Sequence, residues 1–567
     1  MIYRHLLNLT LIHKIKVGKL VILNFLIPPL ELSLLGLVFL ILTASKVPEI
    51  PEFFNDYISI VPTLIQYILI LAILTFALVL FWAFLRIYRT RIQAFTRYNI
   101  YSEQANQISE TYFNIPGDAE LSEKNEEIAN LIIHLSGGAS ALYMAWIGFL
   151  SAVFGVIVLA TTVLLSSFTL GIIASIIGLF SVFINFKNFS QMQSIGQTKI
   201  ATHEQVLFEV NQNIRSFQLI KFDNLISHIT NKLKLVIQKD WQWRVDKRRA
   251  VEKIKVLSDS FGILSLLIII TTSSIFLKIP AEQLVILLLI FNRLRSYFSE
   301  AQTHWVNIRE HKPATIELLS SLSRFVKYST IDNAAISNLH RIELKNVGFS
   351  YSDTPIIKSV SALITKGDRI LLKGPSGEGK STLLKLITGY YQPTTGQIIF
   401  NNLQKQKPDI QSIVGGIFYS ANDMYMPNIP LREIVDPLNI LTQNQLEKIL
   451  KNVCLYDLLN EPKILNESVG DNGSYLSLGQ RQRLFLSRIY LMEPSMVILD
   501  EATSNLDSDT ENEVLKNLMD HVGEEAIIIF ASHHTPSHFT FNKAFTVSSG
   551  TVIQEKITSK KESFIDI

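Results

Sequence analysis

A chain of 567 residues exceeds one ordinary domain and implies two or more folded units. Apolar residues make up 48% and charged residues only 18%, too little charge for a uniformly soluble protein of this size. Lys and Arg number 52 against 49 for Asp and Glu, and a net of +3 gives no ground for nucleic acid binding.

In chain order, residues 20–42 form the first long apolar run, and about 20 residues suffice to cross a hydrocarbon core. Residues 64–85, 139–165, 170–186, 257–276 and 284–298 follow, making about six spans. The first run begins too late and runs too long for a cleavable signal peptide. Basic residues set the orientation. Arg4, Lys14, Lys16 and Lys19 precede the first span, Arg86, Arg89, Arg91 and Arg97 follow the second, and Lys187 and Lys199 follow the fourth. The opposite connections are short and poor in Lys and Arg, so both termini are expected to face the cytoplasm.

Glu31 lies within the first span beside Pro28 and Pro29. An ionisable group at membrane depth faces a bundle interior or a wet cavity, and prolines can kink a helix. A conformational joint and a direct contact to cargo both remain open. The two long connections, 90–135 and 187–255, are charged and helically periodic. They are expected to extend the spans as helices into the cytoplasm, turning at Tyr112-Phe113-Asn114-Ile115-Pro116 and across 214–222 to meet a partner.

The second half reads as a soluble α/β unit. The buried-strand pattern Arg369-Ile370-Leu371-Leu372-Lys373 leads into Gly374-Pro375-Ser376-Gly377-Glu378-Gly379-Lys380-Ser381-Thr382 and then a helical pattern. This is the strand–loop–helix context of a phosphate-binding P-loop, in which backbone N–H groups converge on phosphate at a helix N-terminus. Lys380 is expected to reach the β and γ phosphates and Ser381 to ligate Mg²⁺. A second strand, Met496-Val497-Ile498-Leu499-Asp500-Glu501, ends in two acids: Asp500 placed for Mg²⁺ and Glu501 as general base for the attacking water. A third strand pattern, 526–531, precedes Ser532-His533-His534, and His533 is expected to contact the γ-phosphate. The lone Cys454 excludes an intramolecular disulfide and reads as a small buried apolar residue.

With these motifs in order, the chain resembles a half-transporter of the ATP-binding cassette superfamily, of the exporter type. The resemblance implies a six-helix membrane domain over 1–325 and an α/β P-loop ATPase domain over 340–567. It further implies that Tyr351 stacks on adenine, that Gly374, Ser376, Gly377, Gly379, Lys380, Ser381 and Thr382 bind ATP, and that Asn422 stands at the loop amide touching ATP and Mg²⁺. The pentapeptide Leu476-Ser477-Leu478-Gly479-Gln480 matches the family signature. Ser477, Gly479 and Gln480, with Asp507 of the D-loop Ser504-Asn505-Leu506-Asp507, would bind ATP of the opposite subunit. His533 matches the switch histidine, and Val469-Gly470-Asp471-Asn472-Gly473 resembles a segment that contacts the intracellular helices.

Two departures stand out. Asn422 is one methylene shorter than the family's glutamine, and Leu478 replaces the signature's middle glycine. Intact Glu501 and His533 imply turnover, and Ser477 Oγ with the Gly479 N–H leave the trans contact available. What the resemblance implies is an ATP-driven exporter in a bacterial inner membrane, working as a dimer by alternating access. A homodimer is favoured over a heterodimer, and the cargo is an amphipathic or hydrophobic compound or a small peptide. ATP and Mg²⁺ are the implied cofactors. A lipid or lipid-linked glycan flippase would share every nucleotide motif; a non-transporting ATP-gated regulator is the third reading.

Overall fold

The computed structural model describes residues 14–43, 64–115, 117, 125–275, 281–328, 336–337, 339–351, 354–401, 413–414, 416–421, 424–532, 536 and 539–556. The chain divides into two compact units, Met1–Asn114 with Glu123–Lys327, and Ile115–Ser122 with Tyr328–Ile567.

The first unit is built on six long helices: α1 Lys14–Thr43, α2 Leu64–Phe113, α3 Ser136–Ser166, α4 Phe168–Arg215, α5 Ile226–Ile275 and α6 Ala281–Tyr328. α2 and α5 have 50 residues each, and α4 and α6 have 48. At 1.5 Å per residue such helices run to about 70 Å, more than twice a hydrocarbon core of about 30 Å. They therefore continue well beyond any bilayer, as their charged, periodic halves require. α2 stops at Phe113, and α4 stops at Arg215 before a short helix, Phe217–Phe222, at the expected turning points.

The six predicted runs map to these six helices. Among the described residues, five helices are long and apolar enough to cross a membrane, by length and composition. The helix carrying the sixth predicted run, α6, forms, but Glu282, Arg293 and Arg295 interrupt its apolar stretch.

Arg293 is bound to a carboxylate of the first helix. Glu31 of α1 is buried and accepts hydrogen bonds from Trp82 Nε1 of α2 at 2.9 Å, Arg293 Nε of α6 at 2.6 Å and Tyr297 Oη at 2.7 Å. Arg293 Nη2 binds its other oxygen as well. A carboxylate at this depth is tolerated because donors from two neighbouring helices, α2 and α6, satisfy it. The Glu31 carboxylate is thus paired rather than solvated. α1 passes through Pro28 and Pro29 without ending. Pro28 has no N–H to give Asn24 O, and the Ser151 hydroxyl of α3 donates to that carbonyl at 3.5 Å. Nearer the far ends, Lys247 of α5 and Lys199 of α4 lie 2.8 and 3.6 Å from the Glu310 carboxylate of α6.

In the second unit, a three-stranded antiparallel sheet holds β1 Arg341–Tyr351 between β2 Thr354–Thr365 and β4 Thr395–Phe400. The main sheet uses β3 Arg369–Lys373, β5 Ile417–Ala421, β6 Met496–Asp500, β7 Ile527–Ala531, β8 Lys543–Ser548 and β9 Thr551–Lys556, in the order β9-β8-β3-β7-β6-β5. All its neighbours are parallel except β8 and β9. Every residue of β6 and β7 is buried, which is why they read as unbroken apolar runs rather than alternating ones.

Candidate nucleotide site

Register brings the site together. Leu372 pairs with Ala531, Ala531 with Asp500, and Asp500 with Ala421. The C-terminal ends of β3, β7, β6 and β5 therefore lie side by side, on the edge where open α/β sheets bind ligands.

The P-loop leaves β3 and feeds α7, Lys380–Ile387. Gly374 has φ of +145°, and a Cβ there would stand 2.4 Å from Val547 O of β8, so the loop's first position admits only glycine. Gly377 and Gly379 follow, also at positive φ. Lys380 is 6% exposed, and its ammonium donates to Gly374 O at 2.8 Å and Pro375 O at 3.1 Å. A buried cation held by two loop carbonyls at a helix N-terminus fits a polyphosphate. Ser376 and Ser381 lie exposed on this loop and the start of α7. Thr382 turns inward, with its Oγ1 3.2 Å from the Tyr351 hydroxyl. The Tyr351 ring is partly exposed and meets Phe349 and Tyr391 edge-on.

At the end of β6, Asp500 is buried and its Oδ2 accepts from the Tyr419 hydroxyl of β5 at 3.0 Å. With the Ser381 hydroxyl, Asp500 supplies the hard oxygen donors that suit Mg²⁺. Glu501 adopts φ of +53°, a left-handed conformation that costs a non-glycine residue energy and marks sites where a side chain must be aimed. Its N–H donates to Ala531 O at 2.9 Å, pinning the bend to β7. Asn422 and His533 lie outside the described residues.

The signature forms the start of α8, Leu478–Ser487. Ser477 caps it: the Gln480 N–H donates to Ser477 Oγ at 3.1 Å, and the Ser477 N–H donates to Gln480 Oε1 at 2.8 Å. An accepted N–H occupies one lone pair of the hydroxyl and leaves its proton to donate. Leu478 occupies the first helical position with its side chain 40% exposed, so this site does not demand glycine and leucine is no obstacle there. Gly479 is the residue that cannot grow, because a Cβ would lie 2.8 Å from Asn505 O. Leu478→Gly is accordingly expected to leave ATP turnover within about twofold and to lower thermal stability slightly, since glycine in a helix costs roughly 1 kcal/mol relative to alanine; ATPase rates and melting curves check both.

Gln482, which motif reading passed over, joins signature to acids. Its Nε2 donates to Glu501 O at 3.3 Å and Ser504 Oγ at 3.2 Å, and its Oε1 accepts from the Asn505 N–H at 3.1 Å. The Leu-Ser-x-Gly-Gln-x-Gln spacing, two positions past Gln480, was the available signal. Asp507 caps the helix α9, Ser508–Val522, through Thr510, whose backbone and side-chain hydrogen bonds hold the Asp507 carboxyl below its usual range. In the preceding segment, Arg481 Nη1 donates to Asn472 O at 2.7 Å. Cys454 is partly buried and its thiol is pushed up by burial, which agrees with a packing role. Within the second unit, the Gly117 N–H donates to Tyr390 O at 3.0 Å, so the chain just past the expected turn of the first long connection meets the segment after the P-loop helix.

Residues 357–504 match the family model described as ABC transporter. The second unit is therefore an ABC transporter domain, fused behind a helical membrane-type unit. A solved structure titled as a bacterial Atm1-family ABC exporter with ATP bound superposes with a TM-score of 0.79 at 16% identity, covering 96% of this chain and 95% of that one. The chain thus has the exporter fold. It is 30% identical over 357 residues to the microcin-J25 export ATP-binding/permease protein McjD of Escherichia coli, covering 60% of this chain and 61% of that protein. It is also 25% identical over 431 residues to the lactococcin-G-processing and transport ATP-binding protein LagD of Lactococcus lactis subsp. lactis, covering 73% and 60% respectively. The matched chain thus spans about three fifths of each of these two relatives.

Proposed function

We propose that this protein is an ATP-hydrolysing exporter of a bacterial inner membrane, moving a small peptide or a hydrophobic compound out of the cytoplasm. The observation that carries the reading is the convergence of Lys380, Asp500 and Glu501 at one sheet edge, with Gln482 tying that edge to the signature helix. Lys380 and the loop N–H groups hold the phosphates; Glu501 takes a proton from the attacking water as it strikes the γ-phosphorus, and His533 steadies the transferring group. Ser381 and Asp500, with Asn422, would hold Mg²⁺, which would supply positive charge to offset that of the phosphates. Ser477, Gly479, Gln480 and Asp507 serve the nucleotide of a second copy, so two chains close around two ATP molecules. Closure and reset alternately expose a membrane cavity to the two sides, with both termini and the nucleotide unit in the cytoplasm.

A cavity of about 330 Å³ within the helical unit supports an apolar cargo. Val163, Phe261, Phe291 and Phe298 line it together with Ser258 and Arg295, a mainly apolar lining with a few polar groups. The relatives named for microcin and lactococcin make peptides the first class to try. Protein in lipid nanodiscs should hydrolyse ATP faster with hydrophobic peptides or drugs, and Gly178→Leu should raise the half-saturating cargo concentration about tenfold, since a Cβ there meets only Phe298 Cε2, at 3.9 Å, and the larger side chain grows into the cavity. Stimulation by lipid-linked glycans alone would replace export by flipping; intact turnover that no cargo alters would favour the regulator.

A further inference from the structure

Tyr419 on strand β5 has been given no role so far, yet its hydroxyl reaches the buried carboxylate placed for the metal. Tyr419 pairs with Ile498 across the β5–β6 ladder, while Ala421, two residues on, pairs with Asp500. Side chains two apart share one face of a strand. The Tyr419 ring therefore leans along the strand toward the sheet's C-terminal edge and brings its hydroxyl to Asp500 Oδ2 at 3.0 Å. Its ring packs against the apolar core between the sheets, so the phenol is anchored at both ends. Asp500 is 5% exposed, and a carboxylate so buried depends on protein donors for its orientation.

We propose that Tyr419 is a positioning residue for the metal: its hydroxyl fixes the plane of the Asp500 carboxylate, so that the oxygen not bound by the phenol is aimed at Mg²⁺ or a water on it. The chemistry supports this assignment. A phenol is a neutral donor and leaves the carboxylate's charge intact, and occupying one of two oxygens of a planar group sets the direction of the other. Partners of metal-bound groups commonly change metal affinity about 10- to 100-fold when removed. Asn422, three residues further along the same segment, is shorter than the family's glutamine, which places more of the metal's orientation on Asp500.

This inference rests on the nucleotide reading above, and the test separates the two. Full-length Glu501→Gln protein in nanodiscs binds a fluorescent ATP analogue while Mg²⁺ is titrated; the same measurement is made with Tyr419→Phe added. The hydroxyl's loss should raise the half-saturating Mg²⁺ concentration about tenfold while leaving affinity in excess EDTA unchanged. Mn²⁺ paramagnetic resonance should report a broadened coordination environment in the variant. Unchanged or tighter Mg²⁺ dependence overturns the proposal, as does an equal loss of affinity with and without metal, which would make Tyr419 a packing residue. Metal-independent binding in the parent protein would overturn the site reading itself, and the inference with it.

Discussion

Glu501→Gln lowers steady-state ATP hydrolysis by about 10²- to 10⁴-fold while ATP still binds. A positioned general base contributes roughly that factor, and the amide keeps the size of the side chain while losing its basicity. The geometry makes the loss specific. Glu501 sits at positive φ with its N–H fixed to Ala531 O and its carbonyl fixed by Gln482, so the substitution leaves the backbone that aims the side chain unaltered. Phosphate release and nucleotide retention, measured on the same sample, check the two halves of the result. Hydrolysis at the parental rate would remove Glu501 from the chemistry.

The second large effect is expected far from the nucleotide. Arg293→Ala removes two of the donors that hold the buried Glu31 carboxylate and leaves Trp82 and Tyr297 to satisfy it. Breaking a buried ion pair by deleting one partner costs about 3–5 kcal/mol, and the two surviving donors favour the lower end, about 3 kcal/mol. Melting in nanodiscs should therefore fall by several degrees, and Glu31→Gln combined with Arg293→Ala should recover part of the loss, because no charge is then left stranded. Strictly additive losses in the double variant would mean that the two groups are not coupled.

These partners also mark where sequence reading stops. Lys380, Asp500 and Glu501 are legible because a P-loop and a strand-end acid pair are local patterns, each complete within about ten residues. The long helices are legible from length and periodicity. Glu31 was visible as an anomaly, but its partner is 262 residues away, and only packing brings α1 to α6. Tyr419 and Asp500 are 81 residues apart and meet because β5 and β6 are neighbours in a sheet whose strand order no local pattern states. The sixth run was legible from its apolar residues, but the partners of Arg293 and Arg295 in that helix, Glu31 and Asp259, lie on other helices. Leu478 looked anomalous by motif, but the first turn of a capped helix takes a leucine readily when its side chain faces outward. The close contact with Asn505 that constrains Gly479 instead is a property of the folded loop.

The proposed function requires one chain's signature to complete another chain's ATP site. In a Cys454→Ser, Glu501→Gln background, one chain carries Ser376→Cys in the P-loop and a second, differently tagged chain carries Leu478→Cys in the signature. A short bifunctional maleimide should link the two tags when ATP and Mg²⁺ are present, and not with ADP or without nucleotide. The absence of an ATP-dependent link between the two chains would contradict the account.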